Sequence, residues 1–200
     1  MKQAIHHLRT GDPVLSAIIE RVGDYGIQFR PPDFETLVKS IVFQQLSGRV
    51  ASVIFGRLAT AVKGVVTPET VLKLRPSRMR SLGLSTQKTA YIRDLARHTR
   101  TGKVVFADLP ALPDDEVILR LTQVKGVGVW TAHMFLIFAL QRTDILPTGD
   151  LGIRNAIRKA YNLEALPTPD EMERMAHRWR PYCSVASWYL WRSLESDANL

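Results

Sequence analysis

Two hundred residues make one ordinary domain, or two small lobes sharing one core. With 46% hydrophobic and 23% charged residues, and with 12 Gly and 11 Pro, the chain is neither disordered, collagen-like nor of low complexity. Its 27 Lys and Arg against 19 Asp and Glu leave a net charge of +8, which favours polyanionic partners, nucleic acid first.

Helical periodicity runs through nearly the whole chain. Val14, Leu15, Ile18, Ile19 and Val22 form one stripe, opened by Asp12 as cap and Pro13 in the first turn. Asp33 caps a second stripe of Phe34, Leu37, Val38, Ile41 and Val42. Val50, Val53, Ile54, Leu58 and Val62 form a third. Thr67-Pro68-Glu69 opens a short helix that closes near Arg75-Pro76. Ser77 to Leu82 makes another short turn, with Gly83 as its C-cap. Lys88 to Arg100 carries Ile92, Leu95 and Ala96 on one face. In the second half Asp114 caps a helix holding Val117, Leu121 and Val124, and Val129 to Gln141 is apolar and helical. Asp150 to Tyr161 turns Ile153, Ala156, Ile157 and Tyr161 inward. Thr168-Pro169-Asp170-Glu171 is a capping box with Pro at the first position. The last helix holds Val185, Trp188, Tyr189 and Trp191. Only Val104-Val105-Phe106 reads as strand. The expected class is all-α, with nine or ten helices and no βαβ alternation for a nucleotide-binding sheet.

The single cysteine, Cys183, excludes an internal disulfide, a four-cysteine zinc site and an iron–sulfur cluster. His6-His7 has no companion ligands and reads as a solvated N-terminus. The longest strongly apolar stretch, Met134 to Leu140, falls far short of the roughly 18 residues that span a bilayer. The first residues, Met1 to His7, carry no apolar signal segment. No membrane partner is expected, and the expected compartment is the cytoplasm, against the nucleoid of a bacterial cell.

The informative segment is Leu121-Thr122-Gln123-Val124-Lys125-Gly126-Val127-Gly128-Val129-Trp130-Thr131-Ala132. One helix ends, a Gly-x-Gly turn follows, and a second helix starts at once. Glycine admits backbone conformations closed to other residues and lets a partner come close. Amides at the start of the second helix, together with its dipole, suit a phosphate group, and Lys125 adds a charge beside them. Further on, Asp150 follows Pro147-Thr148-Gly149 and opens the next helix. As an N-cap it has an ordinary structural role, and the helix N-terminus also favours its ionised form.

These segments together resemble the helix–hairpin–helix DNA glycosylases, and within them the 3-methyladenine DNA glycosylase II type. Ile41-Val42-Phe43-Gln44-Gln45-Leu46-Ser47, Gly83-Leu84-Ser85-Thr86-Gln87-Lys88, Arg178-Trp179-Arg180-Pro181-Tyr182 and Trp188-Tyr189-Leu190-Trp191 carry the same resemblance. It covers the chain from about Pro13 to Leu194. It implies a single all-α domain over residues 1–200 in two helical lobes, with a DNA-facing cleft between them and the hairpin at about 114–141. Larger bacterial members carry an extra N-terminal β-rich domain; this chain starts almost directly with helices and resembles the compact form.

The resemblance also implies an activity: flipping a damaged nucleotide out of duplex DNA and hydrolysing the bond between base and sugar. Asp150 is then the catalytic residue. Bifunctional relatives place a Lys just after the Gly-x-Gly turn to form a Schiff base; Trp130 stands there, so a monofunctional enzyme is expected. An alkylated purine is cationic, and the indole face of Trp130 suits it as a pocket wall. Met134 and His133 share the helical face of Trp130. Trp191 matches a second aromatic near the family's active site, and Phe34 is set beside the pocket, although it and Phe43 more often belong to the core.

Phosphate contacts are implied at Lys125, Gly126, Val127, Gly128 and Thr131, with a second anchor at Ser85, Thr86 and Lys88. A side chain usually fills the gap left by a flipped base; the loop Gln44-Gln45-Leu46-Ser47-Gly48 matches that wedge region, with Gln45 nearest the wedge position and Leu46 next. No cofactor is required. The hairpin of relatives often holds Na+ or K+ through backbone carbonyls, here those of Thr122, Val124 and Val127. A monomer acting on double-stranded DNA with damaged bases is expected. The residues alone leave two other readings open. One is a helix–hairpin–helix DNA-binding module without chemistry; the other is a helical interaction domain whose charge is incidental.

Overall fold

The structure is a computed structural model and describes residues 1–197. In chain order its helices are α1 (Lys2–Gly11), α2 (Pro13–Val22), α3 (Phe34–Phe43), α4 (Gly48–Ala61), α5 (Pro68–Lys73) and α6 (Pro76–Ser81). There follow α7 (Thr86–Arg100), α8 (Asp114–Thr122), α9 (Val129–Phe138), α10 (Leu151–Ala160), α11 (Pro169–Ala176) and α12 (Cys183–Asp197). Short 3₁₀ turns stand at Leu109–Ala111 and His177–Trp179. Among the described residues there is no strand, and no helix is long and apolar enough to cross a membrane.

Most helix starts are written locally. Asp12 accepts from the amides of Val14 and Leu15 at 3.0 and 3.2 Å. Asp33 takes Thr36 N–H at 2.8 Å, and Thr67/Thr70 and Thr168/Glu171 form reciprocal capping boxes. Each such cap is worth about 1 kcal/mol.

The chain folds as two compact units. The first is built from both ends of the chain, residues 1–29 and 141 onward. In it α12 packs against α2 and α10, and α1 against α2. Leu8, Leu15, Ile157, Trp179 and Tyr189 are fully buried there. Burial of each large apolar side chain contributes about 1.5–3 kcal/mol. Asp12, itself buried, also accepts from Trp179 Nε1 at 2.9 Å and Tyr161 Oη at 2.5 Å. It thereby ties the start of α2 to the end of α10 and to the second 3₁₀ turn. Burial, then the bond to Asp12, pushes the Tyr161 phenol well above its ordinary pKa.

The second unit is continuous, residues 30–140. In it α5, α3 and α6 pack on α7, α4 packs on α3, and α8 and α9 form the hairpin. Leu37, Ile41, Leu58, Met79, Ile92, Leu95 and Leu121 are its fully buried residues of note.

Five local expectations are corrected. Twelve α-helices stand among the described residues, against nine or ten expected; one of the additional helices, α1, forms without a side-chain cap or an initial Pro to announce it. His7 is therefore helical, with Nε2 3.2 Å from Arg178 O and its ring edge-on to Tyr182. Val104–Phe106 is a turn-rich connection; its apolar residues anchor it, Val104 fully buried and Phe106 edge-on to Phe34 and Phe135. Pro113 holds the cap position of α8 and Asp114 is its first helical residue, while Leu82 caps α6 and Gly83 follows at φ +107°.

Candidate active site

Asp150 is the N-cap of α10. Its Oδ1 accepts the backbone N–H of Ile153 at 2.8 Å and Trp191 Nε1–H, from α12, at 3.0 Å. Asp150 as a residue is 8% exposed. A Cβ on Gly152 would lie 3.0 Å from Asp150 Oδ1 and 3.3 Å from Trp191 Cδ1, so a bare backbone at 152 leaves room for the pair. Two donors on one oxygen and a fixed helix start give this carboxylate one orientation.

The second unit holds a cavity of about 510 Å³. Phe43, Trp130, Met134 and Phe138 supply aromatic and thioether wall, and Arg30, Ser40 and Gln44 the polar part. A mostly apolar pocket with a few polar groups is what a planar heterocycle needs. Trp130 and Met134, two of the residues expected beside the base, line this cavity. Phe34 does not: it is buried in the core against Phe106 and does not line the cavity, because its position faces inward from the first turn of α3. His133 is half-buried on α9 and is not among the lining residues. Trp191 is in the first unit, hydrogen-bonded to Asp150.

The hairpin turn is held from three sides. Gly126 has φ +80°, and a Cβ there would meet the Tyr91 ring at 2.1 Å. Lys125 N–H donates to Asp94 Oδ2 at 2.9 Å. Gln44 Nε2 donates to Gly126 O at 2.9 Å. Gly128 differs: it is exposed and extended, caps α9 without a side chain, and a Cβ there would meet nothing within 4 Å. Its bareness leaves the start of α9 open to close approach by a partner. Val127 and Thr131 are buried in the turn and in α9, while the Lys125 side chain is exposed.

A second cavity of about 470 Å³ shares Gln44, Gln45 and Gly126 with the first and is lined also by Leu46, Ser85 and Lys88. Gln45 takes φ +55°, and Gln45, Leu46 and Ser47 are exposed. Ser47 and Ser85 cap α4 and α7. The Lys88 ammonium, expected as a phosphate anchor, is instead committed internally. Its Nζ donates to Val42 O at 2.7 Å and Gln44 O at 2.6 Å, at the end of α3. Burial lowers its pKa from the ordinary lysine value. Sequence reasoning passes over Gly152, and places Gln44 in the wedge loop without its bond to the hairpin. Their signals were present: a glutamine at the end of α3 inside a quoted segment, and a glycine two residues past the capping Asp.

For a monovalent cation, the carbonyls of Thr122, Val124 and Val127 are neutral oxygens in one turn. Val124 O also accepts Val127 N–H at 3.0 Å, which leaves it one lone pair. Among the described residues no group of three or more His, Cys, Asp or Glu is placed to hold a metal.

The family model described as HhH-GPD superfamily base excision DNA repair protein matches residues 38–181. DNA-3-methyladenine glycosylase 1 of Schizosaccharomyces pombe is 32% identical over 94% of this chain and 85% of its own length. The Bacillus subtilis protein YfjP is also 32% identical, over 90% of this chain, which spans 66% of that relative. Among solved structures, the S. pombe 3-methyladenine DNA glycosylase Mag1 in complex with abasic DNA has a TM-score of 0.86 at 32% identity. That match covers 96% of this chain and 97% of the other. The DNA-3-methyladenine glycosidase of Bacillus halodurans has a TM-score of 0.87 at 34% identity, over 98% and 91%.

Proposed function

The chain belongs to the HhH-GPD superfamily of base excision DNA repair proteins, and from that membership we propose that it is a monofunctional glycosylase releasing alkylated purines from duplex DNA. The observation that carries the reading is the Asp150 carboxylate, fixed by the Ile153 amide and the Trp191 indole at the start of α10. The likeness to the S. pombe and B. halodurans enzymes supports the same substrate class.

The chemistry asks little of the protein. Alkylation at N3 or N7 makes the purine a cation and a good leaving group. The bond between C1′ and the ring nitrogen breaks, and the base leaves with its electron pair as a neutral molecule. The sugar develops oxocarbenium character. Asp150 faces that positive charge and orients the water whose oxygen bonds to C1′; the water's proton passes to the carboxylate or to solvent. Trp130 stands where a lyase would need an amine, so water is the only nucleophile. The unit 30–140 binds the base and backbone: Trp130, Met134, Phe43 and Phe138 as cavity walls, Gly126 to Thr131 and Lys125 on phosphates, and Gln45 or Leu46 in the gap left in the stack. A Na+ or K+ held by the hairpin carbonyls would stiffen the turn; no other cofactor is needed. The protein works as a monomer on the nucleoid, in the cytoplasm.

The test is Asp150→Asn. On DNA treated with a methylating agent, wild type releases methylated purines identifiable by chromatography. The variant loses release by about a hundredfold or more while its affinity for duplex holds. Equal release by both proteins removes Asp150 from the mechanism.

A further inference from the structure

The chain's positive charge is not spread evenly. Between Thr70 and Val105 stand nine Lys or Arg and one acid, Asp94, and that surplus of eight equals the net charge of all 200 residues. This stretch runs from the second half of α5 through α6 and α7 to the connection after them. Thr86, Thr89, Ala90, Arg93, Asp94 and Arg97 lie at helical spacing along one face of α7. With Arg80 of α6 on one side and Lys125 of the hairpin turn on the other, that face lines a recess of about 270 Å³.

The charges there are set for a partner. Arg93 is fixed by bonds from Nη1 to Leu74 O at 2.7 Å and Leu72 O at 3.4 Å. Asp94, the one acid, is turned to the Lys125 amide and to His98, whose Nδ1 is 3.5 Å from Oδ2. Arg80 and Arg97 are exposed, and neither makes an ion pair among the described residues. Thr89, which lines the recess, is 97% buried and its Oγ1 has no hydrogen-bond partner. A turn about χ1 offers that hydroxyl to an oxygen entering the recess.

We infer that this α6–α7 recess is a second grip on the DNA backbone, taking phosphates beyond those at the hairpin and extending the bound length of duplex. The inference rests on the proposed action on DNA. Lys125 belongs to both grips, so one strand would pass from the start of α9 onto the α7 face. Phosphodiesters fit because the recess offers several cations and a hydroxyl donor but no aromatic platform for bases. The grip is indifferent to sequence and to damage, as a protein searching for rare lesions requires.

The experiment compares wild type, the Arg80→Gln/Arg97→Gln double variant, and a charge-matched control, Lys2→Gln/Lys159→Gln, both exposed in the first unit. Fluorescence anisotropy on undamaged duplex gives the slope of log affinity against log salt. Single-turnover release from methylated DNA is followed at saturating enzyme. Each lost phosphate contact removes about 0.9 from the slope. The recess variant is expected to lose about 1.8 and to bind long duplex several-fold more weakly at physiological salt, with its release rate kept. The control keeps the wild-type slope. An unchanged slope in the recess variant, or an equal fall in the control, overturns the inference. A wild-type protein that releases no base from methylated DNA overturns the functional reading instead, and a slope difference between the variants still stands or falls by itself.

Discussion

Trp191 Nε1 lies 3.0 Å from Asp150 Oδ1 and donates to it from a helix 41 residues further along the chain. Trp191→Phe keeps the ring and removes the donor. A hydrogen bond to a charged group contributes about 1.5–3 kcal/mol, so single-turnover base release is expected to slow by roughly tenfold or more. Gly152→Ala attacks the same pair differently, since its Cβ would stand 3.0 Å from Oδ1. Alanine is the better helix former by about 0.5–1 kcal/mol. This variant should melt no lower than wild type yet release base more slowly. A variant as fast as wild type would show that the carboxylate tolerates displacement.

The two hairpin glycines should separate cleanly. Gly126→Ala meets the Tyr91 ring at 2.1 Å and holds φ at +80°, so urea unfolding should show a loss of about 3 kcal/mol or more. Gly128→Ala is extended and uncrowded and should unfold within about 0.5 kcal/mol of wild type. Under the proposed phosphate contact at the start of α9, its cost is expected in DNA affinity, because the added methyl would crowd that phosphate. If both variants lose stability alike, the distinction between them is wrong.

Lys88→Met removes two charge-assisted bonds to the end of α3. It should cost about 2–3 kcal/mol in unfolding and leave the salt slope of DNA binding unchanged. A phosphate contact would behave in the opposite way, lowering the slope by about 0.9 with stability kept.

A pH dependence follows from Glu171. The Thr168 backbone N–H, and then its hydroxyl, hold this carboxyl below the usual 4.5. A depressed carboxyl stabilises the folded state above the ordinary value, and that contribution is lost as pH falls through the folded one. Thermal midpoints of wild type and Glu171→Gln should therefore differ near neutrality and converge in acid. A constant difference across that range would assign the cap to hydrogen bonding without charge.

Elements with a local signal were the ones readable in the sequence. Asp12, Asp33, Thr168 and Asp150 each announce a helix because the capping oxygen and the amide it accepts are two or three residues apart. The helix α1 carries no such signal. Side chains that act across long separations were invisible. Lys88 lies 46 residues from Val42, and nothing local distinguishes a lysine that closes a helix end from one that meets a phosphate. Phe34 is open for a related reason: an aromatic in a first helical turn fits a pocket or, more often, a core, and only packing against Phe106 decides. Gly126 and Gly128 look alike in sequence; the Tyr91 ring, 35 residues earlier, makes one of them obligatory.

The continuous unit spans residues 30–140, whereas the other is assembled from both chain ends. During translation the middle unit has all its contacts available as soon as Leu140 clears the ribosome. Its neighbour has to wait for α12, which closes on α2 some 160 residues upstream. Pairing across such a separation is slow to find. Ribosomal truncation before Cys183 would thus strand α1 and α2 without their partner, and yield a nascent product that retains the hairpin but has lost the indole that orients Asp150.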